Sequence, residues 1–255
     1  MIVEYHRPQS VHEALILLAR ENPISYPLGG GTFLNRGMDN HIAVVDLQAL
    51  GLGLIEKNGN HVHIGATATL QNLLDFKGLP GDIYKAIEHE ATYNMRQMAT
   101  LAGTLITADG RSPLATIFLA LNASLEVQEL EAKPKDVRIG DWLPLRDKSR
   151  PGRLITKIAL ATNVLVVYEA IARTPADQPI VSAALAQWRS GRTRLTLGGW
   201  GSSPTLAMDG PDSEGIELAA KNAYKLAEDE WASAEYRQEM AGVLALRCLS
   251  RLGTR

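Results

Sequence analysis

Pro27-Leu28-Gly29-Gly30-Gly31-Thr32-Phe33-Leu34 is the stretch on which the reading of this chain turns. Three consecutive glycines let a backbone take positive φ and come close to a ligand with no Cβ in between. Successive N–H groups in such a turn can converge on a phosphate, and Thr32 adds a hydroxyl. A glycine turn that only joins two elements is the commoner use, so the stretch needs company. Seventy residues on, Thr100-Leu101-Ala102-Gly103-Thr104 reads as a second Gly/Thr turn.

The surroundings of the first turn read as alternating elements. Val3 to Tyr5 is a short strand. Ser10 with Glu13 three residues later forms a capping box, and Val11, Ala14, Leu15, Leu17 and Leu18 recur at helical spacing. A helix is expected from about 11 to 21, ended by Pro23. Ile24 to Leu28 is a strand into the turn, and Ala43 to Leu47 a buried strand after it. His61 to Ala66 alternates as a strand behind a Gly59-Asn60 turn. His61 and His63 share one face, but no third ligand stands nearby to make a zinc site. Helices are expected over 69–76, 82–91 and 114–123, strands over 125–130 and 154–160, and a polar connection over 133–136. From residue 163 the pattern changes. Strands at 164–171, 180–185 and 193–197 suggest an antiparallel sheet, and two helices follow at 214–226 and 234–252. In the last, Tyr236, Met240, Val243, Leu244, Arg247 and Cys248 mark a stripe. The order gives an α+β chain with a boundary near 160.

Composition narrows the function classes. The 255 residues are 45% hydrophobic and 21% charged, an ordinary globular balance. A net charge of −2 offers no electrostatic case for nucleic acid or an anionic membrane. The single cysteine, Cys248, excludes an internal disulfide and a Cys-based metal or iron–sulfur site within this chain, and reads as a buried small hydrophobe. No stretch is long and apolar enough for a membrane span. Met1 enters a strand directly, so a cytoplasmic location is expected.

With these residues in place, the sequence resembles the FAD-binding (medium) subunit of molybdenum hydroxylases. That group includes the medium subunit of carbon monoxide dehydrogenase and the flavin domain of xanthine dehydrogenase. Tyr5-His6-Arg7-Pro8 matches the family's opening. Gly29-Gly30-Gly31-Thr32 stands where the family has Ala-Gly-Gly-Thr, and Ala99 to Leu105 where it has Ala-Thr-Ile-Gly-Gly-Asn-Ile. Ile64-Gly65-Ala66, Pro151-Gly152-Arg153-Leu154-Ile155 and Ser233 to Arg237 continue the likeness over essentially the whole chain.

The resemblance implies an α+β fold: a two-part FAD-binding domain of the vanillyl-alcohol oxidase (PCMH) type at 1–162, with subdomains of about 1–55 and 56–162. A smaller C-terminal domain with an antiparallel sheet and helices would follow at 163–255. It implies FAD as cofactor, with Leu28, Gly29, Gly30, Gly31, Thr32, Phe33 and Leu34 around the diphosphate. Thr100, Gly103, Thr104 and Thr107 would approach from the other side, and Ile155 would pack near the adenine or the isoalloxazine. No catalytic side chain and no metal are implied, because the flavin carries the redox chemistry. The implied partners are a molybdopterin-binding large subunit and a 2Fe-2S small subunit, with a dimer of such heterotrimers as one assembly. The alternative is a flavin-free subunit that scaffolds the same partners. Three departures bear on that choice. Ala102 replaces a glycine, which would strain it were φ positive there. Pro113 stands where relatives carry an acidic ribityl acceptor, with Asp109 as the substitute, and Glu169 stands where they carry a base.

Overall fold

The computed structural model describes residues 1–34, 41–148 and 152–253. Pro151 of the family likeness lies outside them. Three sheets carry the chain, and each is covered on a face that its sequence makes apolar.

The first is a three-stranded parallel sheet of β1 (Ile2–His6), β3 (Ile42–Asp46) and β2 (Ile24–Leu28), in that order. The helix α1 (Val11–Leu18) lies between β1 and β2 in sequence. Ser10 caps it, its Oγ accepting from the Glu13 N–H, and it ends three residues earlier than expected. Ala14, Leu15 and Leu18 pack with Val45, Leu47 and Leu154.

The second is a five-stranded antiparallel sheet, ordered β4 (Ile55–Asn58), β5 (His61–Gly65), β8 (Arg153–Ala161), β6 (Ser124–Glu129) and β7 (Lys135–Arg138). Two of these strands, β4 and β7, have no expectation above; the stretch around β7 reads as a polar connection. Both are edge strands of four residues whose side chains are nearly all exposed, so neither carries a hydrophobic alternation. His61 is exposed and His63 half-buried on β5, and no cluster of metal-ligating side chains exists among the described residues.

The third sheet is antiparallel, ordered β12 (Thr205–Gly210), β11 (Thr193–Gly198), β10 (Val181–Trp188) and β9 (Val164–Ile171). The edge strand β12 is again one that the pattern misses. The helices of this part of the chain are α2 (Leu70–Asp75), α3 (Ile83–Glu90), α4 (Tyr93–Met98), α5 (Leu101–Thr107), α6 (Pro113–Ala120) and the single turn α7 (Ile139–Trp142), of which α3 and α6 pack against the third sheet. Every residue of α6 is buried, which is why its sequence is apolar all round. One core joins the two sheets through it: Val62, Ile64, Phe118, Leu125 and Ile158 belong to the same cluster as Val166, Tyr168, Ala184 and Ala186.

The other face of the third sheet is covered by α8 (Ile216–Ala223) and α9 (Ala234–Gly253). The buried stripe of α9 is Arg237, Ala241, Leu244, Ala245, Cys248 and Leu252. Tyr236 and Arg247 of the expected stripe are exposed instead. Arg237 is fully buried because its guanidinium donates to the carbonyls of Ile180, Ala227, Ala232 and Gly199 and to the Asp229 carboxylate. Cys248 is buried, and burial pushes its thiol up to about 12, which makes it inert. No helix of the described residues is long and apolar enough to cross a membrane.

Candidate functional site

The first glycine segment leaves the C-terminal end of β2 and meets the backbone of residues 98–100. A Cβ on Gly30 would overlap the Met98 carbonyl, and one on Gly29 would lie 2.7 Å from the Thr100 Oγ1. The glycines therefore serve the close approach of two backbones. Only Gly31 takes the left-handed region, at φ 71°; Gly29 and Gly30 do not. The N–H groups of Gly30 and Gly31 have no acceptor among the described residues. Within the described residues they are open to donate to a ligand.

The second segment is not a turn. Thr100 is the N-cap of α5, its Oγ1 accepting from the Gly103 N–H at 3.3 Å. Residues 99–102 pair with 66–70 through Leu70 N–H to Ala99 O, Leu101 N–H to Ala68 O and Ala102 N–H to Ala66 O. That pairing fixes the position of Thr100 opposite Thr69. Ala102 is buried within α5 with ordinary helical φ, so the missing glycine introduces no strain.

Where the two segments meet they open a cleft of about 520 Å³. Gly29, Gly30, Gly51 and Gly53 give it walls without side chains, and Thr67, Thr69, Thr100, Gln48 and Gln97 give it hydroxyls and amides. Among the described residues, no Asp, Glu, Lys or Arg lines it. A diphosphate fits such a lining: glycine backbone, hydroxyls and amides supply donors, and no carboxylate of the described residues stands on the wall. The volume is that of a small-ligand site.

Of the residues singled out from sequence, the cleft wall holds Gly29, Gly30 and Thr100. Leu28, Gly31, Thr32 and Leu34 lie in the same segment, partly buried, with Phe33 exposed at its tip. On α5, Gly103 is exposed beside Thr100. The Thr104 Oγ1 donates to the Thr100 carbonyl and the Thr107 Oγ1 to the Gly103 carbonyl, both at 2.9 Å. Asp109 is exposed past the end of α5, and its Oδ1 accepts from the Arg111 N–H at 2.8 Å. Pro113 is the first residue of α6, and the cap there is Ser112, whose Oγ accepts from the Ala115 N–H. Ile155 is buried in the core between the sheets and does not reach the cleft wall. Glu169, on the edge strand β9, pairs with Lys85 of α3 and Arg251 of α9.

The residues that sequence reasoning missed are Gln48, Gly51, Gly53, Thr67, Thr69, Gln97 and Met98. The Gly51-Leu52-Gly53 spacing was a readable signal, since Gly51 takes φ 69°. The threonines were not, because Thr69 already has a reason to be there as the cap of α2, in a capping box with Asn72.

Glu90 is the one strongly perturbed carboxyl near this region. Burial pushes it up to about 6, against the N–H of Leu114 and the hydroxyl of Ser112, which donate to its Oε2 and pull it down. It closes the start of α6 and stays away from the cleft.

The sheet arrangement and the glycine-and-hydroxyl cleft define a dinucleotide-binding protein. Residues 1–161 match the family described as the FAD binding domain in molybdopterin dehydrogenase. The chain belongs to that family, and its cofactor is FAD. It is 28% identical over 252 residues to the uncharacterized protein YgfM of Escherichia coli K12, covering 96% of this chain and 94% of that one. It is 27% identical to the carbon monoxide dehydrogenase medium chain of Afipia carboxidovorans, over 99% of this chain and 97% of that one. Among solved structures, reconstituted CO dehydrogenase from Oligotropha carboxidovorans superposes with a TM-score of 0.80 at 26% identity, covering 97% of this chain and 96% of the matched chain. The α+β expectation from sequence is met.

Proposed function

We propose that this chain is the FAD-carrying electron-transfer subunit of a molybdenum hydroxylase. Its partners would be a molybdopterin-binding large subunit and a 2Fe-2S small subunit, and substrate would be oxidised on the large one. The naming of a full-length relative as a carbon monoxide dehydrogenase medium chain supports this assembly. A cytoplasmic complex, doubled as a dimer of heterotrimers, completes the reading.

The observation that carries it is the close contact of Gly29 and Gly30 with Met98 and Thr100 at the wall of a cleft that the described residues line with glycines, hydroxyls and amides. In this reading the N–H groups of Gly30 and Gly31 hold the diphosphate, and segment 28–34 wraps it. Thr100, with Gly103 and Thr104 behind it, sets the opposite wall. Thr107 and Asp109 follow along and just past α5, and Ile155 packs in the core between the sheets. FAD when bound accepts electrons and passes them on to an acceptor. No general base is required of this chain. Two domains, 1–162 and 163–255, are part of the proposal. The pattern change after β8 and the family match ending at 161 support that division.

The test is the visible spectrum of the purified chain and a titration with FAD. Absorption near ~450 nm that co-purifies with the protein, or saturable uptake of added FAD, is the expected result for a flavin carrier. A colourless protein that takes up no FAD leaves the scaffold reading in its place.

A further inference from the structure

The loop between α5 and α6, the loop between β9 and β10, and the loop between α8 and α9 meet at a cavity of about 370 Å³. It shares no residue with the glycine cleft. Trp231 stands in it, with the Arg111 guanidinium 4.4 Å and the Arg173 guanidinium 4.8 Å from its ring centre. Each is a cation–π contact.

The two arginines are held differently. Arg111 is fixed: its Nε donates to the Pro179 carbonyl at 3.0 Å and its Nη2 to the Gln178 carbonyl at 3.1 Å. The Trp231 backbone N–H donates to Asp229 Oδ1 at 2.8 Å, which ties that loop down. Arg173 is exposed and makes no hydrogen bond or ion pair among the described residues. Its fork of donors is unspent. Asp177 puts the one carboxylate on the cavity wall, and its Oδ2 accepts from the Thr174 N–H. Asp109 lies near with Oδ1 turned to the Arg111 N–H, and Asp229 is paired with Arg237. The wall thus carries two guanidiniums against one partly satisfied carboxylate.

Two cations over one indole repel each other unless something between them is negative. We propose that this cavity is a second ligand site, distinct from the flavin cleft, which takes the phosphate or pyrophosphate group of a small anionic ligand. A carboxylate has two oxygens, and one guanidinium fork satisfies both. A phosphate has acceptors left for the Nη1 of Arg111, whose Nε and Nη2 are engaged by the Pro179 and Gln178 carbonyls. The cavity is larger than a phosphate, and Ile180 gives the remainder an apolar wall.

This proposal goes beyond the flavin reading and does not depend on it. Its test is calorimetric titration of the FAD-saturated protein with inorganic pyrophosphate and, separately, with ADP. FAD saturation keeps either probe out of the glycine cleft. Arg173 is exposed, so its replacement does not threaten the fold. Arg173→Ala is expected to weaken binding by about tenfold or more, and Arg173→Lys to restore only part of it, because an ammonium is a point charge without a fork. FAD content should be equal in all three proteins. Tighter binding of ADP than of pyrophosphate assigns the site to a nucleotide; equal binding assigns it to the phosphate group alone, and both uphold the proposal. Wild-type protein that binds neither probe overturns it, as does equal affinity in Arg173→Ala. A parallel loss of FAD in Arg173→Ala overturns the claim that the sites are distinct. A chain that takes up no FAD but binds pyrophosphate through Arg173 separates this proposal from the flavin reading.

Discussion

Gly30 faces a backbone, and that decides what a substitution there does. Sequence suggests that a branched side chain would spoil a left-handed turn. The structure gives another reason: Gly30 has ordinary φ, and its missing Cβ makes room for the Met98 carbonyl. Gly30→Val must push the two segments apart. The expected outcome is loss of FAD binding together with about 1–3 kcal/mol of stability, in the range of overpacking. For a chain of this size that is a fall in Tm of several degrees. FAD titration and thermal melts check both parts. Unchanged affinity with unchanged Tm would remove Gly30 from the site.

Glu90 supplies a pH prediction with a definite sign. Its carboxyl sits at about 6 when folded, above its ordinary 4.5, because burial penalises the charge. A raised folded value means stability is fully present below about 4.5 and is lost as pH rises through about 6. The loss is about 2 kcal/mol from a shift of about 1.5 units. Glu90→Gln cannot ionise, so its melting curve should show no fall across pH 4.5 to 6.5 from this source. A wild-type and a variant Tm that run parallel across that window would dismiss the effect.

At the scale of elements, the helix α5 sets one wall of the cleft. Thr100 caps it, and the pairing of 99–102 with 66–70 positions it. Thr100→Ala removes the cap and should cost about 1 kcal/mol. It should also weaken FAD, since the Oγ1 stands beside Gly29 at the cleft wall. Thr100→Ser keeps the hydroxyl and should restore both. Rescue of stability without rescue of FAD affinity would show that the Thr100 methyl, not its hydroxyl, shapes the wall. Much of this was legible in the chain: the Ser10 cap of α1, the strand pattern around the glycines, and the apolar α6. Edge strands β4 and β7 were not, because strands with exposed side chains lack the alternation that marks a strand, nor was β12, whose half-buried residues do not alternate in period two. Nor was the role of Arg237, since a basic residue on a helix reads as surface until carbonyls from distant loops are seen to surround it.

At the scale of the whole molecule, the largest hydrophobic cluster of the described residues crosses the proposed boundary at 162/163. Val166, Tyr168, Ala184 and Ala186 of the third sheet pack into the same cluster as Val62, Ile64 and Phe118. Asp82 adds a polar tie: its carboxylate accepts from the Tyr168 N–H and pairs with Arg251 of α9. A fragment of 163–255 would expose that sheet face to water. It is expected to lack a cooperative thermal transition, whereas the intact chain should melt in a single one; calorimetry of both checks this. A fragment that melts sharply at its own Tm would show two separable cores.

The sequence alone determined the α+β order, the two segments on which the cofactor site depends, and the family likeness through which FAD was expected. Those are carried by local chemistry: caps, periodicity, and glycines in a run. Only the tertiary structure decided that the second segment is a helix start, that Gly30 serves a backbone contact, and that Thr67, Thr69 and Gln97 share the cleft with it. The reason is that these facts are distances between residues far apart in the chain. Local propensity says nothing about which carbonyl will stand where a Cβ would have been.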